Sequence, residues 1–203
     1  MKFHFIYLAA GYSRRFGTNK LLALYEGTPM YRLLLDRLVN ILEYDESVID
    51  ITVVTQYREI ADEVNRIEQE KGLPVRCVIN PDPSRGISSS IRCAVKQLTE
   101  NNDEITSSSD EALIFFVADT PHLAEETVLR FIHAFAQSEK RLACIERDGE
   151  MGNPGGFGAE FIPELMRLEG DRGGKRILLA HKDDVFIFSD TKPEELEDID
   201  YSC

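Results

Sequence analysis

Phe3-His4-Phe5-Ile6-Tyr7-Leu8-Ala9-Ala10-Gly11-Tyr12-Ser13-Arg14-Arg15-Phe16-Gly17-Thr18-Asn19-Lys20 joins a nearly continuous apolar run to a loop of small and basic residues. The run Phe3–Ala9 suits a strand covered on both faces. Gly11 and Gly17 let the following backbone approach a ligand closely. Its N–H groups can then face phosphate oxygens, with Arg15 and Lys20 to neutralise charge. The spacing is neither GxxxxGK[ST] nor GxGxxG. On composition alone the loop reads equally as a phosphate cradle and as an ordinary solvated loop.

The rest of the chain repeats the alternation that this strand begins. Leu34, Leu35, Leu38 and Leu42 recur at helical spacing after Pro29, and Val48–Thr55 is a second apolar, β-branched strand. Glu59–Glu70 carries Ile60, Val64 and Ile67 on one face and ends at Gly72, which predicts a surface helix. Val75–Ile79 reads as a strand, Ser88–Leu98 as a helix and Thr99–Glu111 as a polar surface loop. Ala112–Ala118 is the most apolar strand, followed by a helix over Ala124–Gln137 and a strand over Leu142–Ile145. Phe161–Arg167 and Lys175–His181 predict short helices, and Val185–Phe188 a late strand. Such alternation implies βαβ units: a three-layer α/β/α, Rossmann-like fold with a mostly parallel central sheet. With no internal repeat and no long linker, residues 1–203 are expected to form a single domain.

Composition excludes several classes. With 23 Lys+Arg against 36 Asp+Glu, the formal net charge is −13, which disfavours nucleic acid and anionic membrane surfaces as partners. No apolar run approaches the ~20 residues needed to span a bilayer. The N-terminal apolar run continues into Gly11-Tyr12-Ser13-Arg14-Arg15 rather than a cleavage site, so a cytoplasmic protein is expected. Cys77, Cys93, Cys144 and Cys203 are scattered with no CxxC pair, and the four histidines are not spaced to complete a zinc site.

Ligands of parallel sheets bind beyond the carboxyl ends of the strands, so the loops that follow strands hold the candidate chemistry. Asp119 in Ala118-Asp119-Thr120-Pro121 ends the most apolar strand. It suits either a metal ligand beside a triphosphate or a turn and N-cap leading to Ala124, the commoner role of a lone aspartate. Asn80 through Ser90 follows the third strand, and its serines suit either a base or phosphate site or simple helix capping. Gly152-Asn153-Pro154-Gly155-Gly156-Phe157-Gly158 and Gly170-Asp171-Arg172-Gly173-Gly174 read as glycine-rich loops, either shaping a second-substrate pocket or serving as plain turns.

Taken together, these segments resemble a known family. Leu8-Ala9-Ala10-Gly11-x-Ser13-x-Arg15-x-Gly17-x-x-Lys20-Leu21-Leu22 resembles the LAAGxSxRxGxxKLL signature of the GT-A-like nucleotidyltransferases, and within them the molybdopterin cytidylyltransferase group. Gly86-x-Ser88-x-Ser90 resembles that group's GxSxS, Asp119-x-Pro121 its DxP, and Gly152-Asn153-Pro154, Phe157, Glu164-Leu165 and Gly170-Asp171-x-Gly173 its late glycine-rich stretch. The matches run in order across almost the whole chain. Two departures stand out. Asp198-Ile199-Asp200 resembles the start of a DxDTPED-like segment but is followed by Tyr201-Ser202-Cys203, and Gly155-Gly156 replaces the apolar residues usual after GNP.

The resemblance implies transfer of CMP from CTP to the terminal phosphate of molybdopterin, with release of pyrophosphate. It implies Mg²⁺ on Asp119 and Asp200, and the triphosphate on Arg15, Lys20 and the Ala10–Gly17 backbone. Ala9, Ala10, Gly11 and Ser13, with Gly86, Ser88 and Ser90, would bind the nucleotide. Asn153, Gly170, Asp171 and Gly173 would face the pterin, and a molybdenum hydroxylase is the implied recipient of the product. The alternatives are a guanylyltransferase or another nucleotidyltransferase of the same fold, and a chaperone that carries the cofactor without catalysis. The guanylyl group usually shows Gly-Gly where Ala9-Ala10-Gly11 stands, which favours CTP over GTP.

Overall fold

A computed structural model describes residues 1–11, 19–101, 105 and 110–197. Its central sheet has seven strands in the order β5-β4-β1-β6-β8-β7-β9. These are β1 (Lys2–Ala9), β4 (Val48–Thr55), β5 (Val75–Ile79), β6 (Glu111–Val117), β7 (Leu142–Arg147), β8 (Glu150–Gly158) and β9 (Val185–Phe188). A small antiparallel hairpin, β2 (Leu24–Tyr25) and β3 (Thr28–Pro29), stands apart from it. β8 alone runs against its neighbours β6 and β7, so the sheet is mostly parallel. From β1 the chain builds outward through β4 and β5, then returns to place β6 on the other flank of β1. The loop after β1 therefore lies where the strand order reverses, the crevice in which open α/β sheets bind ligands.

The period-2 alternation of β1 explains the layering. Phe3, Phe5, Tyr7 and Ala9 join one buried cluster with residues of α1 (Met30–Tyr44), α2 (Arg58–Lys71) and α4 (Glu125–Gln137). Ile6 and Leu8 join a second cluster with residues of α3 (Ile87–Asn101), α5 (Ile162–Met166) and α6 (Lys175–Ala180). Helices thus cover both faces, as the nearly continuous apolar character of β1 and β6 requires. Gly72 closes α2 in the left-handed conformation at φ +65°, fulfilling its expected role as a stop signal. No helix among the described residues is long and apolar enough to cross a membrane.

Two segments differ from the sequence expectation. The polar stretch after Leu98 is helical through Asn101, and Ile105 beyond it is fully buried, an apolar anchor inside a stretch whose serines suggested only a surface loop. The glycine-rich stretch from Gly152 is not a loop but most of β8. Its glycines serve packing. A Cβ on Gly156 would lie 2.9 Å from the Phe135 ring and 3.0 Å from Ile114, so only a bare backbone fits between them.

At the opposite, amino edge of the sheet, His4 is buried between two carboxylates. Nδ1 lies 3.0 Å from Asp50 and Nε2 3.0 Å from Glu111, with Arg76 3.8 Å from the far oxygen of Asp50. Burial disfavours the imidazolium, but the two carboxylates outweigh it and raise the pKa above 6.5. The stability gained from protonating His4 is thus complete below 6.5 and lost as pH rises through the raised folded value. Urea midpoints measured across this range should fall with pH in the native protein, and the fall should shrink in His4→Gln. Parallel profiles would show that His4 does not carry the effect.

Candidate active site

Four strand ends meet at the carboxyl edge. At the end of β1, three successive carbonyls accept side-chain donors from the end of β4. Thr55 Oγ1 donates to Ala9 O (3.0 Å), Gln56 Nε2 to Ala10 O (2.8 Å) and Tyr57 Oη to Gly11 O (2.8 Å). A planar trans peptide points its N–H opposite to its C=O. Carbonyls tied toward the end of β4 therefore turn the N–H groups of Ala10 and Gly11 away from it. Successive N–H groups on one side form a concavity suited to anions. Thr55, Gln56 and Tyr57 were not among the candidates from sequence. Their position directly after a strand is the signal that could have found them.

Lys20 follows in a short 3₁₀ turn (Lys20–Leu22), anchored by buried Leu21 and by the Asn19 side chain accepting from Leu21 N–H at 3.1 Å. Ser13, Arg15 and Gly17 lie outside the described residues, as does Asp200.

Asp119 lies just past β6 on the other flank, half-buried. It does not cap α4: the cap position is Ala124, whose N–H is instead taken by Glu195 Oε2 at 3.1 Å. The Arg37 guanidinium donates to Pro121 O and Leu123 O, which fixes the chain between Asp119 and α4. The fully buried Tyr7 hydroxyl donates to Tyr31 O at 2.8 Å, and burial, reinforced by the charge of Asp119, keeps its pKa well above 10.0. Tyr7 is therefore a neutral wall near this carboxylate rather than a base.

On the outer flank, buried Asn80 at the end of β5 donates to the hydroxyls of Ser89 (2.8 Å) and Ser90 (3.0 Å) and accepts from the Asp82 N–H (3.0 Å). The Ser89 hydroxyl in turn donates a hydrogen bond to Gly86 O at 2.8 Å. These serines are bound to a strand end, not to helix N–H groups. Ser88 is fully buried, and its hydroxyl has no partner among the described residues. Gly86 adopts φ +83°, ψ 179° and lies flat against the Gly170–Asp171 turn, where Gly170 O accepts the Ser88 N–H at 3.2 Å.

The residues expected to face a second substrate divide into two groups. Gly170 and Asp171 close on Gly86, and Gly173 lies over Ile87. Asn153 instead lines a cleft of about 410 Å³ with Thr120, Arg147, Glu150, Lys175 and Leu196. The chain from Gly170 to Lys175 connects the two. Among the described residues no cluster of three or more His, Cys, Asp or Glu side chains could hold a metal by itself. The Asp119 carboxylate is a hard oxygen donor of the kind that could hold a divalent ion, and an ion shared with substrate phosphates needs only one or two such carboxylates.

Solved structures share this architecture. Rv0371c from Mycobacterium tuberculosis H37Rv superposes with a TM-score of 0.69 at 19% identity, over 93% of this chain and 87% of that one. Its manganese complex gives 0.65 at 20% identity, over 93% and 88%. The 4-diphosphocytidyl-2C-methyl-D-erythritol synthase of Anaerococcus prevotii DSM 20548 gives 0.67 at 13% identity, over 98% and 90%. Molybdopterin-guanine dinucleotide biosynthesis protein A of Archaeoglobus fulgidus gives 0.60 at 12% identity, over 92% and 83%. Among curated proteins, none matches the sequence. The residues from 5 to 185 match the MobA-like NTP transferase domain, and the chain is a nucleotidyltransferase of that family.

Proposed function

We propose that this protein transfers CMP from CTP to the terminal phosphate of molybdopterin and releases pyrophosphate. The observation that carries the transferase reading is the pinned Ala9–Gly11 backbone, whose three carbonyls are tied to the end of β4, leaving the Ala10 and Gly11 N–H groups pointed away from β4. CTP and molybdopterin are favoured by the sequence: Ala9-Ala10 where guanylyl enzymes carry glycines, and the ordered run of GxSxS, DxP and GDxG segments. The fold alone does not choose the base, since one structural neighbour is named for a cytidyl product and another for a guanine dinucleotide.

An acceptor phosphate is already anionic and needs no general base. The difficulty is to bring two anions together in line, which is a matter of positioning and charge compensation. Ala10 and Gly11 N–H, with Arg15 and Lys20, hold the triphosphate and the departing pyrophosphate. Gly86, Ser88 and Ser90 frame the base, with Ser13 beside the phosphates. Asn153 orients the pterin, while Gly170, Asp171 and Gly173 form the wall shared by the two substrates. Asp119, joined by Asp200, would hold a divalent cation, here Mg²⁺; the manganese complex of Rv0371c supports a divalent ion in this fold. When bound, that ion would supply positive charge to offset the repulsion between the two anionic substrates. The product would pass to a molybdenum hydroxylase.

Thermal unfolding with Mg²⁺ and each of CTP, GTP, ATP and UTP tests the nucleotide. At ~100 times its dissociation constant a ligand adds about 2.7 kcal/mol, or about 5–10 °C for a chain of this size. The expected result is a rise with CTP alone; a rise with GTP alone overturns the base assignment. Lys20→Ala is expected to weaken CTP about 10- to 100-fold, the worth of a hydrogen bond to a charged group. Unchanged affinity and rate would remove Lys20 from the phosphate site.

A further inference from the structure

The cleft beside Thr120 carries two cations that the sequence motifs do not explain. Its floor is the tight turn from β7 to β8, where Asp148 (φ +53°) and Gly149 (φ +80°) form the two-residue bend of a hairpin. Arg147 and Glu150 are cross-strand partners on either side of this bend. The Lys175 ammonium reaches in from α6 and lies 2.7 Å from Glu150 Oε2. The cleft balances Arg147 and Lys175 against Asp148 and Glu150, and Thr120 in its lining directly follows Asp119.

The two cations differ in freedom. The Arg147 guanidinium donates to Leu196 O, so it is committed to holding the segment that Glu195 fastens to α4. Lys175 is bound only through its tip, to a carboxylate that is 77% exposed. Water competes with a pair this exposed, so Glu150 is readily exchanged for a better anion. The base of Lys175 is firm. Gly174, just before it, lies against the Phe157 ring so closely that a Cβ there would sit 2.5 Å from Cζ. A fixed base, a flexible stem and three donors suit a phosphate, which the ammonium meets as a point charge.

We propose that Lys175 anchors the phosphate of the acceptor substrate, a phosphate monoester, and that Glu150 is the counter-ion this phosphate replaces. This rests on the nucleotidyltransferase reading above, with the nucleotide on the β1, β4 and β5 side of Asp119 and the acceptor on the β8 and β7 side. Lys175 acts in binding and alignment. No bond to it forms or breaks, and its loss should appear chiefly in the acceptor's KM.

Phenyl phosphate serves as the probe, titrated calorimetrically into protein saturated with Mg²⁺ and the α,β-methylene analogue of CTP, which fills the triphosphate site and cannot react. The native protein should bind the ester and not phenol. Lys175→Ala should weaken it about 10-fold or more, Lys175→Arg should restore most of the affinity, and Glu150→Gln should tighten it up to about 5-fold. Affinity for the CTP analogue should stay within about 2-fold in all three variants, because Lys175 lies outside the nucleotide site. Equal ester affinity in native protein and Lys175→Ala, or no ester binding by the native protein, overturns the proposal. Loss of the analogue in Lys175→Ala also overturns it, by moving the lysine to the triphosphate. If the native protein fails to bind the analogue, the nucleotide reading fails separately. The same titration without the analogue then still reports on Lys175.

Discussion

Asp119→Ala is expected to lower nucleotidyl transfer by at least about 10³-fold, the scale of removing a principal electrostatic element from a transition state. The fold should survive. The carboxylate is half-buried and follows its strand, and α4 is held by Glu195 and Arg37 rather than by Asp119. Loss of a half-buried carboxylate should cost about 0.5–3 kcal/mol, less than unfolds a domain. The Tyr7 hydroxyl loses a nearby negative charge, but burial, the larger cause of its raised pKa, keeps it neutral at pH 7. Initial rates and melting curves on the same preparation separate the two effects. Full activity with an unchanged melt would remove Asp119 from the chemistry.

Gly86→Ala is expected to be the most damaging single methyl group at the site. At φ +83° and ψ 179° the residue occupies a backbone region that is essentially reserved for glycine, at a cost of about 1–3 kcal/mol for any other residue. The new Cβ would also lie 2.4 Å from both C and O of Gly170 and 2.5 Å from Asp171 Oδ1. Two of those three atoms are backbone, so relief means moving the turn, at a further cost of about 1–3 kcal/mol. Together these lower the melting temperature by about 5–15 °C. Nucleotide affinity should fall as well, because the Gly170–Asp171 wall shifts. Gly170→Ala separates strain from contact. It shares the positive φ (+63°) but has nothing within 4 Å of its Cβ, so it should cost only about 1–2 kcal/mol. Equal melting temperatures for the two variants would contradict the steric part of this explanation.

The strands that were legible in the sequence are those whose burial is written in apolar side chains. β1, β4 and β6 are largely apolar runs, β5 is a short β-branched one broken by Arg76, and each appears within a residue or two of its expected bounds. β8 was hidden for the opposite reason. Between β6 and β7 there is no room for a side chain at Gly156 and little at Gly155, and a strand that packs through bare backbone has the composition of a loop. Ile105 was hidden because one apolar residue among serines has no period to detect.

The site divides in the same way. The loops after β1, β5 and β6 were found because the geometry of parallel sheets points to strand ends. The hydrogen bonds that shape the first and last of these were not, because they join residues far apart in sequence, 46 positions for Thr55 and Ala9 and 84 for Arg37 and Pro121. The serines of α3 looked like caps because a hydroxyl at a helix start usually is one. Here buried Asn80 claims Ser89 and Ser90 instead. Lys175 was visible only as part of a charged turn, since its pairing with Glu150 exists only once β8 forms.

The most direct test of the transferase reading is pyrophosphate release, followed with Mg²⁺ and each of the four nucleoside triphosphates, with and without molybdopterin. The account predicts release with CTP that requires molybdopterin and vanishes in Asp119→Ala. Release that requires GTP instead, or none with any nucleotide when molybdopterin is present, would contradict it.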